Sequence, residues 1–204
     1  MTAIKVCGLT RPDDVALCRE LGAAYLGFNF SSRSPRSVAP ASRAALLDAS
    51  GDAFRVGIFV DEPEEEIREA ISAMRLDAVQ VHRELDPRDL ELGSPVIAVA
   101  RVSGGAAKLP APALLARCRA ILFDTAHAER PGGTGIPFDW SILDGRALPV
   151  PAGIAGGLNA GNVGRAIAAV RPDFVDVASG VESSPGIKDP GKLRAFFAAV
   201  ADAA

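Results

Sequence analysis

Residues 3–15 read AIKVCGLTRPDDV and join a short apolar run directly to the start of a helix. The run at 4–6 ends abruptly at Cys7, Thr10 has the side chain of a helix N-cap, and Pro12 suits the first helical turn. A strand that leads at once into a helix is one β/α unit. A fold built by repeating this unit would show the same pattern along the whole chain.

The pattern recurs eight times. β-Rich runs occupy residues 3–7, 24–30, 54–60, 77–81, 96–102, 120–124, 150–155 and 174–178. Helical stretches follow, beginning near Pro12, Pro40, Pro63, Pro87, Pro110, Phe138, Asn159 and Asp189, and the stretch after Pro87 is short. Several runs, such as VIAVARV at 96–102, are almost continuously apolar, which is typical of a parallel sheet covered on both faces.

Eight units in 204 residues leave about 25 residues for each, which fits a tight β/α repeat. We expect an α/β protein, a single (β/α)8 TIM barrel with parallel strands. Residues 1–204 are expected to form one domain, because no linker rich in Ser, Gly or Pro divides the chain. A doubly wound open sheet is the alternative, but it usually has fewer strands and a G-x-G-x-x-G turn after its first strand, which this sequence lacks.

The composition excludes several functional classes. The chain is 49% hydrophobic and carries a net charge of -3, with no basic patch for nucleic acid. Its three cysteines have unrelated spacings, so neither a disulfide framework nor a metal-binding cluster is expected. No apolar run is long enough to span a bilayer, and the N-terminus lacks the pattern of a signal peptide. These features predict a cytoplasmic protein without nucleic-acid or membrane partners.

Reactive side chains stand at the carboxyl ends of the predicted strands, where (β/α)8 barrels carry their active sites. Cys7 ends the first strand and Asp124 ends the sixth, and three steps around a closed ring would place them on opposite sides of the mouth. A thiol and a carboxyl so arranged suit general acid–base catalysis. The thiol, with an ordinary pKa of about 8.5, would need cationic neighbours or the start of the first helix to form a thiolate at neutral pH. The alternative is that Cys7 is a packing residue, which is how we interpret Cys18 and Cys118 in predicted helices.

Two glycine-rich turns follow the last two strands, AGGLNAGNV at 155–163 and ASGVESSPG at 178–186. Glycine lets backbone N–H groups approach an anion closely, and the loops after strands seven and eight are the usual phosphate site of this fold. We therefore expect a phosphate site here, with Asn159 capping the following helix. Ordinary turn chemistry is the alternative.

The loop after the second strand, SSRSPRSVAP at 31–40, carries Arg33 and Arg36. An arginine fork can clamp a carboxylate with two parallel hydrogen bonds, so this loop is a candidate carboxylate site. A solvated surface loop is the alternative.

The loop after the sixth strand, DTAHAERPGGTGIPFDW at 124–140, is long and rich in glycine. It is expected to form a mobile lid that Phe138 and Trp140 anchor to the barrel. His127 would lie within this lid, whereas His82 ends the fourth strand and points toward the mouth. His82 is therefore the better candidate for a substrate contact.

Seven motifs occur in an order that resembles one known family. They are KVCGLT, GFNFSSRSPRSV, VGIFVD, LDAVQVH, GGTGIPFDW, AGGLNAGNV and VDVASGVESSPGIKD, and they span nearly the whole chain. The sequence resembles the phosphoribosylanthranilate isomerases of tryptophan biosynthesis. The resemblance implies an Amadori rearrangement of N-(5-phosphoribosyl)anthranilate to 1-(2-carboxyphenylamino)-1-deoxyribulose 5-phosphate. It also implies no metal or organic cofactor, a phosphorylated sugar–anthranilate as the small-molecule substrate, and a monomer or homodimer.

The resemblance implies roles for individual residues. The cysteine of the CG motif is the general base of the family, which places that role on Cys7, and the aspartate ending the sixth strand is the general acid, which places it on Asp124. Arg36 is implied to hold the anthranilate carboxylate. The implied phosphate site is the pair of glycine-rich turns, at Gly156, Gly157, Ser179 and Gly180.

Three further residues complete the expected site. His82 and Asp176 are expected to contact the substrate. Gly8 is expected to keep the space beside Cys7 clear for substrate.

Two positions depart from the family pattern. Arg83 stands where a glycine usually follows the histidine, and residues 136–137, Ile-Pro, follow GGTG where a lysine is frequent. The nearest alternative is a related sugar isomerase of histidine biosynthesis, or an enzyme with both activities, but those enzymes usually have an aspartate at the position of Cys7. The second alternative is a catalytically silent barrel that binds a phosphorylated metabolite or a partner protein.

Overall fold

The computed structural model describes residues 1–103, 106–125 and 147–203. Its strands are β1 (Ala3–Val6), β2 (Tyr25–Asn29), β3 (Phe54–Phe59), β4 (Ala78–Val81), β5 (Val96–Ser103), β6 (Ala106–Ala107), β7 (Ala120–Thr125), β8 (Ala152–Ile154), β9 (Phe174–Val177), β10 (Glu182–Ser184) and β11 (Ile187–Lys188). Its α-helices are α1 (Pro12–Glu20), α2 (Arg43–Ser50), α3 (Glu64–Met74), α4 (Pro112–Leu115), α5 (Val163–Val170) and α6 (Pro190–Ala201). The described residues also include short 3₁₀-helices at Pro40–Ser42, Pro87–Glu91 and Ser179–Val181.

Eight parallel strands form a closed ring. Their order is β4, β3, β2, β1, β9, β8, β7 and β5, and β5 pairs back onto β4. This closure confirms the predicted (β/α)8 barrel and excludes the open sheet. The predicted strand positions agree with the strands of the ring to within two residues.

Aromatic side chains fill the amino-terminal end of the barrel. Tyr25, Phe54 and Phe174 are the first residues of β2, β3 and β9. The Tyr25 ring meets those of Phe54 and Phe174 edge-on, at centroid distances of 5.3 and 5.7 Å. Alternate side chains of each strand point into the barrel. The first inward residues therefore lie at the amino-terminal end of the barrel, and the last ones lie at the carboxyl end. The packed end leaves the carboxyl ends of the strands as the open mouth.

Helices cover the outside of the ring with their apolar faces. In α3, Ile67, Ala70 and Met74 are buried at helical spacing, and three glutamates occupy the first turn, where negative charge is favourable.

Within the described ranges, no helix combines the length and the apolar character needed to cross a lipid bilayer.

Two features after the strands were not predicted. The stretch after Pro87 is a 3₁₀-helix, in which the Asp86 side chain accepts from the Arg88 N–H and the Asp89 side chain accepts from the Asp86 N–H. After the last strand of the ring, β10 and β11 form an antiparallel hairpin that pairs Glu182 with Lys188. Strands of two and three residues are too short to leave a periodic pattern in a sequence.

The prediction that Thr10 caps the first helix is wrong. The helix α1 follows Arg11, and Pro12 occupies its first turn as expected. The Thr10 hydroxyl instead donates to the carbonyl oxygen of Gly186, which lies in the β10–β11 hairpin. The side chain therefore connects the first β/α turn to the last one.

Two smaller expectations also need correction. Asn159 does not cap the following helix, because α5 begins only after Asn162, and the Asn159 side chain accepts from the Gly161 N–H in the turn before it. Cys118 lies beyond the end of α4 rather than inside a helix, although it is buried. Cys18 is buried within α1.

Apart from Asp124 and Thr125, which end β7, the loop expected to form the lid falls outside the residues that the structure describes. The same holds for His127, for residues 136–137 and for the helical stretch expected near Phe138, with Trp140.

The tight packing at the closed end of the barrel gives a stability prediction. A Cβ added at Gly153 would lie 2.3 Å from two ring atoms of Phe174, a ring that is already packed against Tyr25. Gly153→Ala should therefore lower the free energy of unfolding by about 1–3 kcal/mol, measured by urea denaturation.

Gly164→Ala is the matched control. At that position in α5 the added Cβ would meet Ala203 at 3.7 Å, an ordinary contact, so the substitution should stabilise the helix by up to about 1 kcal/mol. Equal effects of the two substitutions would contradict this account of the barrel interior.

Candidate active site

A cavity of about 270 Å³ opens at the carboxyl ends of the ring strands. Most of the residues predicted for the site line it: Cys7, Arg36, His82, Asp124, Gly156, Gly157, Asp176 and Ser179. Asn29, Ser34 and Gln80 line it as well, although none of the three was predicted. One cavity therefore brings together a thiol, two carboxylates, an arginine and two glycine turns.

Cys7 and Asp124 enter this cavity from β1 and β7, which lie three steps apart around the ring. Cys7 lies directly after β1, where its N–H donates to the Val177 carbonyl oxygen at 2.8 Å, and part of its surface is exposed. Asp124 lies near the end of β7 and is also partly exposed. A molecule in the cavity would have the thiol on one side and the carboxyl on the other.

The pKa of the Cys7 thiol reflects opposing effects. Burial has the largest effect and raises the pKa of the thiol above its ordinary value, although the positive charges of Lys5 and Lys188 lower it in part. The sequence predicted cationic neighbours, and these two lysines are present, but they offset the effect of burial only in part. The helix α1 begins only at Pro12, so Cys7 is not part of its first turn.

Lys5 is the main residue that sequence reasoning missed. Its side chain is fully buried, and its Nζ lies 2.9 Å from Asp176 Oδ2. The register of β1 against β9 pairs these two residues directly. A signal was available, because a lysine in the middle of the apolar run before Cys7 requires a buried partner.

Arg36 binds a carboxylate of the protein itself. Its Nε donates to Glu182 Oε1 at 2.9 Å, and its Nη2 donates to Oε2 at 2.6 Å. Burial disfavours the Glu182 carboxylate, but the hydrogen bond from Arg36 and the charge of Lys188 hold its pKa below the ordinary value. The hydrogen bond to Glu182 also raises the pKa of Arg36. Among the described residues, Arg36 Nη1 donates no hydrogen bond and is available to a ligand.

Lys188 completes this buried group. Its Nζ donates to Glu182 Oε1 at 2.9 Å and to the backbone carbonyl oxygen of Cys7 at 2.6 Å. The β10–β11 hairpin thus connects the loop that carries Arg36 to the end of β1. Neither Glu182 nor Lys188 was predicted, although both stand in the last quoted motif.

The expectation for Gly8 is wrong. Gly8 has a φ of 73°, and a Cβ added there would lie 2.5 Å from the Arg36 Cδ. The space beside Gly8 is therefore filled by the Arg36 side chain, not left clear for substrate. Gly8 is required because it lets Arg36 cross the end of β1 and reach Glu182.

His82 is held as a neutral ring. Burial, together with the charges of Lys5 and Arg101, lowers the pKa of His82 to about 4. Gln80 Nε2 donates to His82 Nε2 at 2.7 Å, which leaves the remaining proton on Nδ1. Gln80 Oε1 and Asp176 Oδ1 are buried and have no hydrogen-bond partner among the described residues. Both residues line the cavity with other parts of their side chains.

The two glycine turns meet at one side of the cavity. Gly156 and Gly157 have φ values of 91° and 65°, and their N–H groups donate to no other described residue. Ser179 lines the cavity beside them, but Gly180 does not. A Cβ at Gly180 would lie 1.9 Å from the Leu158 carbonyl oxygen, so Gly180 allows the two turns to pack together.

Arg33 and Arg83 do not line this cavity, but both line its neighbour. Arg33 is exposed and pairs with Asp61 on the surface. Arg83 donates to buried Asp89 at 2.8 and 2.6 Å, and it lines a neighbouring cavity of about 600 Å³ that shares His82 with the first. The departure from the family pattern at Arg83 thus stabilises the turn after β4.

Comparison with known proteins identifies the family. The family model described as N-(5'phosphoribosyl)anthranilate (PRA) isomerase matches residues 4–199. The N-(5'-phosphoribosyl)anthranilate isomerase of Pseudomonas putida (strain W619) is 44% identical over 201 residues, which cover 98% of this chain and 97% of that protein. The match covers almost the whole sequence, both glycine turns included.

Solved structures give the same answer. The phosphoribosyl anthranilate isomerase of Thermotoga maritima superposes with a TM-score of 0.85 at 35% identity, covering 99% of this chain and 100% of that one. The enzyme of Thermus thermophilus superposes with a TM-score of 0.83 at 34% identity, covering 98% and 99%. This chain therefore belongs to the N-(5'-phosphoribosyl)anthranilate isomerase family.

Proposed function

We propose that this chain converts N-(5-phosphoribosyl)anthranilate into 1-(2-carboxyphenylamino)-1-deoxyribulose 5-phosphate in tryptophan biosynthesis, with Cys7 as the general base and Asp124 as the general acid. One observation carries the proposal. A single cavity holds both groups, with Arg36 and two glycine turns around them. The substrate has matching parts, since it carries a carboxylate on its aromatic ring, a phosphate on its sugar and the reacting carbons between them.

The reaction begins with opening of the ribose ring. Asp124, in its protonated form, donates a proton to the ring oxygen, and the bond between that oxygen and C1′ breaks. The electron pair of the anthranilate nitrogen then forms a C1′–N double bond, which gives an iminium ion. The positive charge on the iminium makes the proton on C2′ acidic.

Cys7 completes the rearrangement. Its thiolate removes the C2′ proton, and the electron pair left on C2′ neutralises the iminium to form an enolamine. The enolamine then tautomerises to the ketone. Asp124 loses one proton and Cys7 gains one, and exchange with solvent restores both groups.

The remaining residues hold the substrate in place. The N–H groups of Gly156 and Gly157, which donate to no other described residue, would bind the phosphate with Ser179 beside them, and Gly180 would support this site by letting the turns pack together. Arg36, through Nη1, would bind the anthranilate carboxylate while Glu182 fixes its guanidinium plane. Asp176 Oδ1, which has no partner in the part of the chain that the structure describes, would accept a hydrogen bond from a ribose hydroxyl, and neutral His82 would donate one from Nδ1. Holding both ends of the substrate fixes the reacting carbons between the thiol and the carboxyl.

A solved relative supports this assignment. A phosphoribosyl anthranilate isomerase with a TM-score of 0.79 to this chain, at 32% identity, was solved in complex with reduced 1-(o-carboxyphenylamino)-1-deoxyribulose 5-phosphate. That ligand is the reduced form of the product proposed here.

The setting of the enzyme is part of the proposal. We infer one domain over residues 1–204, a location in the cytoplasm, and no nucleic-acid partner. The three cysteines are free thiols, which suits a reducing compartment. A monomer or a homodimer is expected, and the Thermotoga maritima relative is dimeric, with monomers derived from it also solved.

Substitution of the acid and the base tests the chemistry. Cys7→Ser and Asp124→Asn should each lower kcat for phosphoribosylanthranilate by about 10²–10⁴-fold, because each removes one proton transfer. Circular dichroism should show that both variants fold. The assay is a steady-state measurement on purified protein, run beside the same assay with the sugar isomerase substrate of histidine biosynthesis.

Cys118→Ser is the matched control and should keep the parent kcat, because Cys118 is buried outside the cavity. Near-normal turnover by a folded Cys7 or Asp124 variant would refute its catalytic role. Turnover of the histidine-pathway substrate alone would refute the proposed substrate.

Substitution of Arg36 tests the carboxylate site. Arg36→Ala should raise KM for phosphoribosylanthranilate by about 10- to 100-fold and change kcat less, because it removes charge-assisted hydrogen bonds to one end of the substrate. Glu182 keeps Lys188 as a partner in this variant, so folding should survive.

Arg33→Ala is the control from the same loop, since Arg33 is exposed and pairs with Asp61 instead of lining the cavity. Its KM should equal that of the parent protein. Equal KM values for the two variants would show that the carboxylate binds elsewhere.

A further inference from the structure

Lys5 and Asp176 form an ion pair inside the barrel, directly below the catalytic cavity. Lys5 is fully buried, Asp176 is 7% exposed, and Lys5 Nζ lies 2.9 Å from Asp176 Oδ2. A buried ion pair is a poor source of stability, because taking both charges out of water costs about as much as their attraction returns, and apolar residues of similar volume are often as stable. The pair therefore needs an explanation other than stability.

The position of Lys5 relative to Cys7 provides one. Lys5 lies on β1 and Cys7, two positions later, follows the last residue of that strand, so both side chains are on the inner face of the barrel. A Cβ added at Gly27, on the neighbouring strand β2, would lie 3.0 Å from the Cys7 Cα and 3.2 Å from Lys5 Nζ. The ammonium group therefore lies beside Cys7, in space that Gly27 leaves open.

We propose that Lys5 is a positioning residue that stabilises the thiolate form of Cys7, and that Asp176 holds the Lys5 ammonium in place beneath it. This inference rests on the base role of Cys7 proposed above. Lys5 neither gives nor takes a proton in the reaction. The Cys7 thiol releases its proton to solvent before the substrate binds, and the thiolate then takes the proton from C2′.

The other charged groups around Cys7 do not replace Lys5. Lys188 lies on the hairpin side but donates to the Cys7 backbone carbonyl and to Glu182, and Arg36 is paired with Glu182. Across the cavity, His82 is neutral because its pKa is about 4, and Asp124 carries no positive charge. Among these groups, Lys5 is thus the cation that lies on β1, the strand that leads directly into Cys7.

The direction of each effect agrees with this geometry. Burial raises the pKa of the Cys7 thiol above its ordinary value, Lys5 lowers it more strongly than Lys188 does, and Asp176 raises it, so Lys5 limits the effect of burial without reversing it. Burial disfavours the Lys5 ammonium, but the Asp176 carboxylate raises the pKa of Lys5 above its ordinary value, so Lys5 stays charged.

The test measures the pKa of the Cys7 thiol in the absence of substrate. The rate of Cys7 alkylation by iodoacetamide, followed by mass spectrometry across pH, reports the pKa of that thiol. Lys5→Met should raise it by at least about one unit, which means a tenfold smaller thiolate fraction at neutral pH. Asp176→Asn should shift it in the opposite direction, because it removes a negative charge and leaves the ammonium. A purely structural role for the pair would not produce shifts of opposite sign.

Lys108→Met is the matched control, since Lys108 is exposed and pairs with Glu84 on the surface. It should leave the pKa of the Cys7 thiol unchanged. If Lys5→Met does not fold, the double variant Lys5→Met/Asp176→Asn removes both buried charges and should still raise the pKa of the thiol, because the effect of Lys5 is the larger. An unchanged thiol pKa in the folded variant, single or double, would overturn the inference.

The pH profile of kcat/KM separates this inference from the proposed function. In Lys5→Met, kcat/KM at pH 7 should fall about tenfold and recover as the pH rises, with the same shift that alkylation shows. If the alkylation shifts but the kcat/KM profile does not, Lys5 tunes the thiol and Cys7 is not the base. If the alkylation does not shift, the role of Lys5 is wrong whatever the turnover of Cys7→Ser.

Discussion

Closure of the strand ring, where β5 pairs back onto β4, is the constraint on which the site depends. In a closed ring of parallel strands, alternate side chains point inward, so the inward residues at the carboxyl ends of different strands share one space. Cys7 and Asp124 are 117 positions apart in the sequence, yet this geometry places both in one cavity. The aromatic residues at the other end fill the barrel and keep that cavity at a single mouth.

Charge balance is the second property of the site. Two buried groups flank Cys7, the pair of Lys5 with Asp176 and the trio of Arg36, Glu182 and Lys188. Each cation in these groups has a carboxylate partner, which makes its burial tolerable. Each group also contains one polar atom without a hydrogen bond to the described residues, Asp176 Oδ1 in the first and Arg36 Nη1 in the second. The site is therefore held in place by internal ion pairs, and some of its polar atoms are left without a partner among the described residues.

The sequence predicted the strands well because each has a local apolar pattern, and strand ends located the candidate site once the barrel was assumed. What it missed depends on contacts between distant residues. Arg36 and Glu182 are 146 positions apart, and only their contact shows that the arginine already holds a carboxylate and that Gly8 makes room for it. The β10–β11 hairpin is too short for a periodic signal. Thr10 has the right side chain for a cap, but its partner Gly186 lies in that hairpin.

A structure of this chain bound to reduced 1-(2-carboxyphenylamino)-1-deoxyribulose 5-phosphate would test the central claim most directly. The account predicts that Cys7 Sγ lies about 3–3.5 Å from C2′. It also predicts the Asp124 carboxyl on the opposite side, next to the oxygen that closed the ribose ring, with the phosphate at Gly156 and Gly157. A sulfur atom that contacts no carbon of the sugar, or a carboxyl on the same side as the thiol, would contradict it.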